Sequence, residues 1–206
     1  MANKTKELFL KTADVIIENK NYLTELDAAI GDGDHGVNLA RGFKKLKDKL
    51  ENGSFESRSE VFKLTAMTLI SNVGGASGPL YGTAFLNISK VIADSRLDLE
   101  DLVEISEEAI AGIQKRGRAE AGEKTMLDTL IPASESLKES RDNNLDLDTA
   151  LKNCLQAAAA GMENTIEMQA TKGRASYLGE RSIGHQDPGA TSSYLIIETF
   201  IKNSLK

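Results

Sequence analysis

Several residue types are scarce in this sequence, and each shortage excludes a class of protein. The chain has no tryptophan and 5% aromatic residues, while acidic side chains outnumber Lys and Arg by 31 to 25. This composition argues against a basic, aromatic surface, so no nucleic-acid partner is expected. The single cysteine, Cys154, excludes a disulfide framework and any multi-cysteine zinc site. No run of about 18 apolar residues is present, so no membrane-spanning segment is expected.

The start of the chain also lacks a feature, the apolar stretch of a secretory signal. Residues Met1–Lys4 lead directly into a mixed polar segment. With 40% apolar residues, 27% charged residues and a formal net charge of −6, the composition is typical of a folded soluble protein. No linker composition or internal repeat divides it. We therefore expect one cytoplasmic domain over residues 1–206.

Proline occurs only at Pro79, Pro132 and Pro188, which leaves long stretches without a helix breaker. In those stretches apolar residues recur at spacings of three and four, and no alternating run predicts a strand. The pattern predicts an all-α single domain of about eight helices packed around one core. The first covers about residues 4–27, and the others begin near residues 37, 58, 79, 98, 125, 147 and 188. Pro132 predicts a kink or a later start in the sixth helix.

Helix-start signals support these boundaries. Ser57 and Glu60 have the spacing of a capping box, and Asp98 is a predicted N-cap. Either Asp146 or Asp148 caps the seventh helix.

An acidic, glycine-rich segment precedes the second helix and carries Asp27, Asp32 and Asp34. Its Gly-x-Gly-x-x-Gly spacing does not follow a strand, so it is not a dinucleotide fingerprint. A calcium loop is excluded because Phe43 stands where a carboxylate ligand is needed. A few carboxylates on a flexible backbone suit Mg²⁺ completed by phosphate oxygens and water. A polar turn whose aspartates cap the next helix is the open alternative.

A second glycine-rich segment, residues 74–82, lies at a predicted helix start, where free N–H groups and the helix dipole favour an anion. Ser77 is the candidate hydroxyl donor. The segment lacks the Gly-Lys-Ser/Thr ending of a Walker A motif. Taken alone, this pattern favours close helix packing over anion binding.

A third segment, Lys172 to Gln186, is a long connection with no predicted secondary structure, a feature more often functional or mobile. Its Arg174 and Arg181 either neutralise phosphate or are solvated surface residues. Together, the three segments describe a nucleotide–Mg²⁺ site at helix ends that converge on one rim of a helical barrel.

The string from Asp27 to Asn38 resembles the signature of the nucleotide-binding half of dihydroxyacetone kinases. Residues 74–82, 173–179 and 187–190 fit the same family in the same order. This resemblance covers essentially the whole chain. It implies an eight-helix barrel with ADP or ATP and two Mg²⁺ ions at its rim.

The resemblance also implies a role for each matching residue. The metal ligands would be Asp27, Asp32 and Asp34. The nucleotide would contact a larger set of residues: His35, Gly36, Val37, Asn38, Ala76, Ser77, Gly78, Thr83, Gly117, Met126, Arg174, Asp187, Pro188 and Gly189. Of these, Gly117 and Met126 would flank the adenine, and they match the family by their location more than by a motif. Arg174 and residues 187–189 would close over the nucleotide.

The resemblance further implies a kinase subunit with no catalytic residue beyond the metal ligands. A separate subunit, where a histidine traps dihydroxyacetone, would hold the sugar, so this chain alone is not expected to phosphorylate it. The phosphoryl donor would be a phosphohistidine protein of the phosphoenolpyruvate-dependent phosphotransferase system, acting on bound ADP. An ATP-dependent kinase subunit with exchanging nucleotide and a non-catalytic, nucleotide-dependent interaction module are the alternatives. A homodimer of this chain is a further possibility that the sequence leaves open.

Overall fold

The computed structural model describes the backbone of residues 1–204 and the side chains of residues 1–203, which form helices and no strand. The α-helices are α1 (Ala2–Glu18), α2 (Lys20–Ile30), α3 (His35–Asn52), α4 (Arg58–Asn72), α5 (Ser77–Val91), α6 (Leu99–Gly117), α7 (Leu127–Asp142), α8 (Leu147–Asn164) and α9 (Pro188–Ser204). A 3₁₀ segment, Arg174–Ser182, lies between α8 and α9.

Eight of these helices close into a ring. Contacts run in order through α1, α3, α4, α5, α6, α7, α8 and α9, and α9 packs again on α1. The remaining helix, α2, packs on α3, α9 and the 3₁₀ segment. The expected all-α barrel is therefore confirmed, with α2 outside the ring.

The core of the barrel is centred on Phe9, which is completely buried. Its ring makes edge-on contacts with Phe62 of α4, Phe85 of α5 and Phe200 of α9, at centroid distances of 4.9, 5.3 and 5.3 Å. Such geometry places the positive ring edge against a negative ring face. One aromatic residue of α1 thus links helices from different parts of the ring.

Local capping signals set several helix boundaries as predicted. The Ser57 hydroxyl accepts the Glu60 amide, although the Glu60 carboxylate takes the amide of Glu56. Asp98 forms a complete capping box with Asp101 at the start of α6. Of the two candidates for α8, the cap is Asp146, which accepts the Thr149 amide at 2.9 Å.

Two predicted boundaries differ from the structure. The predicted first helix is divided at Asn19, whose side-chain amide donates to the Val15 carbonyl at 2.9 Å. Asparagine competes in this way with the helical hydrogen bonds. The Lys172–Gln186 connection, expected without secondary structure, contains the 3₁₀ segment, which is broken at Gly179.

Pro132 lies inside α7, so that helix continues through it.

Ring closure brings particular helix ends together. The starts of α3, α5, α7 and α9 meet at one end of the barrel, with the ends of α2 and α8. At the opposite end, Arg58 at the start of α4 contacts Asp94, and Arg141 at the end of α7 contacts Glu100. None of the helices within residues 1–204 is both long and apolar enough to cross a membrane.

Candidate functional site

Three aspartates meet where α2 passes into α3. Asp27 lies on the last turn of α2, and Asp32 and Asp34 lie in the short connection, residues 31–34, that leads to α3. One carboxylate oxygen of each lies within 4.8 Å of the others. Asp27 is buried, Asp34 is partly buried and Asp32 is exposed. Three negative charges at this spacing repel one another unless a cation lies among them.

The two oxygens of Asp27 have different surroundings. Oδ2 accepts the backbone amides of Asp34 and His35, at 2.8 and 3.0 Å, and so caps the start of α3. A Cβ atom built on Gly31 would overlap Oδ1, so a side chain at that position would displace this oxygen. Asp27 thus serves as a helix cap through Oδ2, and no hydrogen bond within the described residues involves Oδ1.

The donor set of this cluster fits a hard divalent cation. It supplies only carboxylate oxygens, the ligands that suit Mg²⁺, and it leaves ligand positions for water or phosphate oxygens. The guanidinium of Arg174 is 3.0 Å from the Asp32 carboxylate. Arg174 therefore lies beside the acidic cluster although 142 residues separate the two in sequence (174 − 32).

A buried histidine joins the acidic segment to two other helices. The Nδ1 atom of His35 is 3.0 Å from the Ser77 hydroxyl of α5, and Nε2 is 2.9 Å from the Ser192 hydroxyl of α9. Burial lowers the pKa of His35, and the nearby Asp27 and Asp34 carboxylates oppose this shift. His35 therefore fixes the relative positions of α3, α5 and α9.

The Ser192 hydroxyl also bonds to the phenol of Tyr81, at 2.7 Å. Tyr81 lies 2.9 Å from the Ser193 hydroxyl and donates to the Gly189 carbonyl at 3.3 Å. Burial raises the pKa of Tyr81 to about 12, so the phenol is neutral. Tyr81 and Ser192 were missed by the sequence analysis, which contained no signal for a hydroxyl network between two helices.

The start of α5 differs from those of α4 and α6, which Ser57 and Asp98 cap, because its N-cap residue, Ala76, makes no side-chain cap hydrogen bond. The chain reaches it through Gly75, whose φ of +67° is strained for other residues. Gly74 lies against the Asn38 side chain, and Gly78 lies against the Val73 carbonyl, so neither has space for a Cβ atom. The first amides of α5, beside Ser77, are therefore available to an anion.

The start of α9, predicted near residue 188, is capped by Asp187. Its Oδ2 accepts the Ala190 amide at 2.7 Å, and its own amide donates to the Thr165 hydroxyl at 3.0 Å. Burial raises the pKa of Asp187 to about 7, with a further increase from Asp128. The Ala190 amide and Lys124 oppose that rise in pKa.

Some predicted nucleotide contacts lie apart from this network. Val37 is exposed on α3. The Thr83 hydroxyl donates to the Pro79 carbonyl, and its methyl group lies near Gly112 of α6. Gly117, at the end of α6, lies next to Leu80.

Two other predicted residues have close partners near the helix starts. Asn38 accepts from Arg41 at 2.8 Å, and Arg41 also donates to the Asn72 carbonyl that precedes the glycine loop. Met126 is buried and packs against Gly189 at the start of α9. These contacts place Met126 on the α7–α9 side of the site and Gly117 on the α5–α6 side.

Two buried charged residues near the site were also missed. Asp128 accepts the amides of Gly122 and Thr125, which folds the connection between α6 and α7. Lys124, in that connection, has a side chain only 1% exposed, and its ammonium contacts four backbone carbonyls. Lysine is almost never this buried without partners, and nothing in the local sequence predicts such partners.

The DAK2 domain family matches residues 29–202 of this chain. A Listeria innocua protein named PEP-dependent dihydroxyacetone kinase 1, ADP-binding subunit DhaL, is 47% identical over 188 residues, which are 91% of this chain and 89% of that protein. The Escherichia coli protein named PEP-dependent dihydroxyacetone kinase, ADP-binding subunit DhaL, is 46% identical, over 91% and 90% of the two chains. The Lactococcus lactis protein named PTS-dependent dihydroxyacetone kinase, ADP-binding subunit DhaL, is 48% identical, over 96% and 95%.

Solved structures share the fold. The native dihydroxyacetone kinase of C. freundii matches with a TM-score of 0.71 and 23% identity, over 96% of this chain and 34% of that one. The same kinase in complex with AMP-PNP and Mg²⁺ matches with a TM-score of 0.72, over 33% of its length. This chain thus spans about a third of the C. freundii kinase. Its family match covers most of the chain, and its relatives are 46–48% identical along nearly their whole length. The chain therefore belongs to the DAK2 domain family.

Proposed function

We propose that this chain is the ADP- and Mg²⁺-binding subunit of a dihydroxyacetone kinase. In this proposal it passes a phosphoryl group from a phosphohistidine protein, through bound ADP and ATP, to dihydroxyacetone on a separate subunit. The observation that carries the proposal is the uncapped start of α5 beside the three-carboxylate cluster. Relatives that are 46–48% identical are named as ADP-binding subunits of such kinases.

The acidic cluster is the proposed metal centre. Asp27, through Oδ1, would share two Mg²⁺ ions with Asp32 and Asp34, while Asp27 Oδ2 continues to cap α3. Bound Mg²⁺ would neutralise the charge that develops on the phosphate oxygens during transfer. The carboxylates need no proton-transfer role, so no catalytic residue beyond the ligands is proposed.

The phosphates are proposed to lie between this cluster and the start of α5. The amides of Ala76, Ser77 and Gly78 would donate to phosphate oxygens, as at other helix N-termini. His35 holds the Ser77 hydroxyl in place. The start of α3, which contains His35, Gly36, Val37 and Asn38, would form the opposite wall.

The base and the closing segment complete the proposed site. Thr83 and Gly117 on the α5–α6 side, with Met126 on the α7–α9 side, are the proposed neighbours of the nucleoside. Arg174 is already at Asp32, where a guanidinium would offset phosphate charge. Asp187, Pro188 and Gly189 would close the remaining side. Residues 1–206 act together as one nucleotide-binding domain in this proposal.

Calorimetric titration with ADP tests the binding half of the proposal. Asp34→Asn removes one carboxylate with little change in volume, and we expect it to weaken ADP binding in Mg²⁺ at least 100-fold. Asp14→Asn is the matched control, because Asp14 pairs with Lys47 away from the cluster and should leave affinity unchanged. Equal affinity in Asp34→Asn and the wild type would contradict the proposed metal centre.

A transfer assay with the partner proteins tests the catalytic half. Radiolabelled phosphoryl groups from the phosphohistidine donor should reach bound ADP and then dihydroxyacetone, without exchange of the nucleotide. Rapid exchange with turnover of free ATP would favour the ATP-dependent alternative. Partner binding that survives Asp34→Asn, with no transfer in any mixture, would identify an interaction module instead.

A further inference from the structure

The connection between α8 and α9, residues 165–187, is a closed loop that carries Arg174 and ends at Asp187. Its two ends meet where the Asp187 amide donates to the Thr165 hydroxyl, at 3.0 Å. Inside the loop, the Gly184 amide donates to the Ile166 carbonyl at 2.7 Å. A loop of this length with little regular structure needs other contacts to hold one position.

The strongest of these contacts comes from Lys124, which belongs to the connection between α6 and α7. Its three N–H groups are shared among four backbone carbonyls of the 165–187 loop that surround the ammonium: Thr165 at 2.6 Å, Met168 at 3.1 Å, Ser182 at 2.7 Å and His185 at 2.5 Å. These acceptors lie at the beginning and near the end of the loop. A single buried cation therefore joins both parts of the loop to the barrel.

The cage formed by these four carbonyl oxygens suits a cation. Carbonyl oxygens only accept hydrogen bonds, and the lysine ammonium supplies three N–H groups and a positive charge. The cage includes the end of α8, where the helix dipole favours a positive charge. Burial lowers the pKa of Lys124, whereas the carboxylates that face it, Asp187 and Glu167, act in the opposite direction. Lys124 also keeps a φ of +61°, a conformation that lysine rarely adopts.

We propose that Lys124 is a positioning residue that holds the 165–187 loop in its closed arrangement before nucleotide binds. It acts through the loop, keeping Arg174 beside Asp32 and Asp187 at the start of α9. The inference rests on the proposed function only in treating Arg174 and Asp187 as groups of the nucleotide site. The contacts between Lys124 and the loop are made by residues of this chain alone.

Hydrogen exchange on the wild-type protein without nucleotide gives the first test. The amides of Gly184, Ala170 and Asp187, which the closed loop bonds internally, should exchange at least 100-fold more slowly than in an unstructured peptide. Exchange at the unstructured rate would overturn the proposal without any mutation.

Lys124→Met is the second test, because methionine retains much of the length and removes the charge. Trypsin cleavage after Arg174 and Arg181 should become at least tenfold faster, while cleavage after Lys138 in α7 stays unchanged. Lys172→Met is the control: Lys172 lies in the same loop, but its ion pair with Glu123 is 3.7 Å long and partly exposed. Cleavage at wild-type rates in Lys124→Met would overturn the proposal.

Chemical rescue separates the role of the charge from simple packing. Lys124→Ala purified in ammonium chloride should regain slow loop exchange and slow cleavage, since ammonium ions can donate to the vacated carbonyls. Choline chloride at equal ionic strength should not restore them. Equal effects of both salts, or of neither, would overturn the proposal, and this arm applies even if Lys124→Met does not fold.

ADP titration distinguishes this inference from the proposed function. If both are right, Lys124→Met should bind ADP in Mg²⁺ about tenfold more weakly, and ammonium should restore affinity in Lys124→Ala. If wild-type protein does not bind ADP while the exchange and cleavage results hold, the proposed function fails and the positioning role of Lys124 stands.

Discussion

At the scale of single residues, the proposal gives Asp27 two functions, a helix cap and a metal ligand. Oδ2 accepts two backbone amides at the start of α3, which is the helix-capping role that the sequence analysis left open for the acidic segment. Oδ1 lies against Gly31, and one oxygen of Asp27 lies within 4.8 Å of a carboxylate oxygen of both Asp32 and Asp34. The two interpretations that the sequence left open are therefore compatible, because a carboxylate has enough lone pairs for both.

Substitutions at Asp27 should separate these functions. Asp27→Asn keeps an oxygen acceptor for the cap, so the free energy of unfolding in EDTA should stay within about 0.5 kcal/mol of the wild type. Asp27→Ala also removes the cap and should lose about 1 kcal/mol. Both should lose the stabilisation that Mg²⁺ and ADP provide. Urea unfolding in EDTA and in Mg²⁺–ADP measures each effect, and a Mg²⁺–ADP response retained in Asp27→Asn would refute the metal role.

Asp187 should make stability depend on pH. Since burial raises the pKa of Asp187 to about 7 from its ordinary value of 3.8, the folded protein keeps a proton that the unfolded chain has lost between these values. Its contribution to stability is thus complete below about pH 4 and is lost as the pH rises to about 7. Asp187→Asn retains an acceptor for the Ala190 amide but cannot titrate.

In EDTA, Asp187→Asn should therefore gain melting temperature relative to the wild type as the pH rises. This difference should increase by a few degrees and level off above about pH 7. Thermal scans at several pH values between 4 and 8 provide the measurement. A difference that is independent of pH would show that Asp187 titrates alike in the folded and unfolded chain.

At the scale of elements, the predictable boundaries are those set by residues close in sequence. The caps at Ser57, Asp98 and Asp146 each use an amide three residues ahead, so the sequence contains the whole interaction. The break at Asn19 coincides with the hydrogen bond from its side chain to the Val15 carbonyl, which the spacing of apolar residues does not show. The cage of Lys124 depends on carbonyls 41 to 61 residues away, and any residue type can supply a carbonyl.

The contact of α7 with α8 depends on a glycine at a close approach. Pro132 has no N–H to bond the Asp128 carbonyl, and that carbonyl lies against Gly161 of α8. Gly161→Ala should therefore lower the free energy of unfolding by about 1–2 kcal/mol, because overlap with backbone exceeds the gain in helix propensity. Gly117→Ala is the control, since its Cβ would meet only a Leu80 methyl group. Urea unfolding of both variants makes the comparison, and equal stability would argue against a tight α7–α8 contact.

At the scale of the whole molecule, ring closure builds the candidate site. The starts of α3, α5 and α9 are far apart in sequence, and His35 contacts Ser77 of α5 and Ser192 of α9 because the ring brings these helix starts together. The glycine and acidic motifs could be found in the sequence, since each is local. Their partners across the barrel could not, because a serine or tyrosine on a helix has no distinguishing pattern.

The chain carries a net charge of −6, and three of its carboxylates lie together in the acidic cluster. ADP alone would add negative charge beside three carboxylates, so it should stabilise the protein only together with Mg²⁺. At about 100 times its dissociation constant, ADP in Mg²⁺ should add about 2.7 kcal/mol, or about 5–10 °C in melting temperature. Calorimetric scans with ADP, Mg²⁺, both, and both followed by EDTA measure this coupling. If ADP stabilises the protein equally in EDTA and in Mg²⁺, the nucleotide binds without the acidic cluster. If the coupling between ADP and Mg²⁺ is lost in Asp34→Asn but kept in Asp14→Asn, the metal lies at residues 27–34.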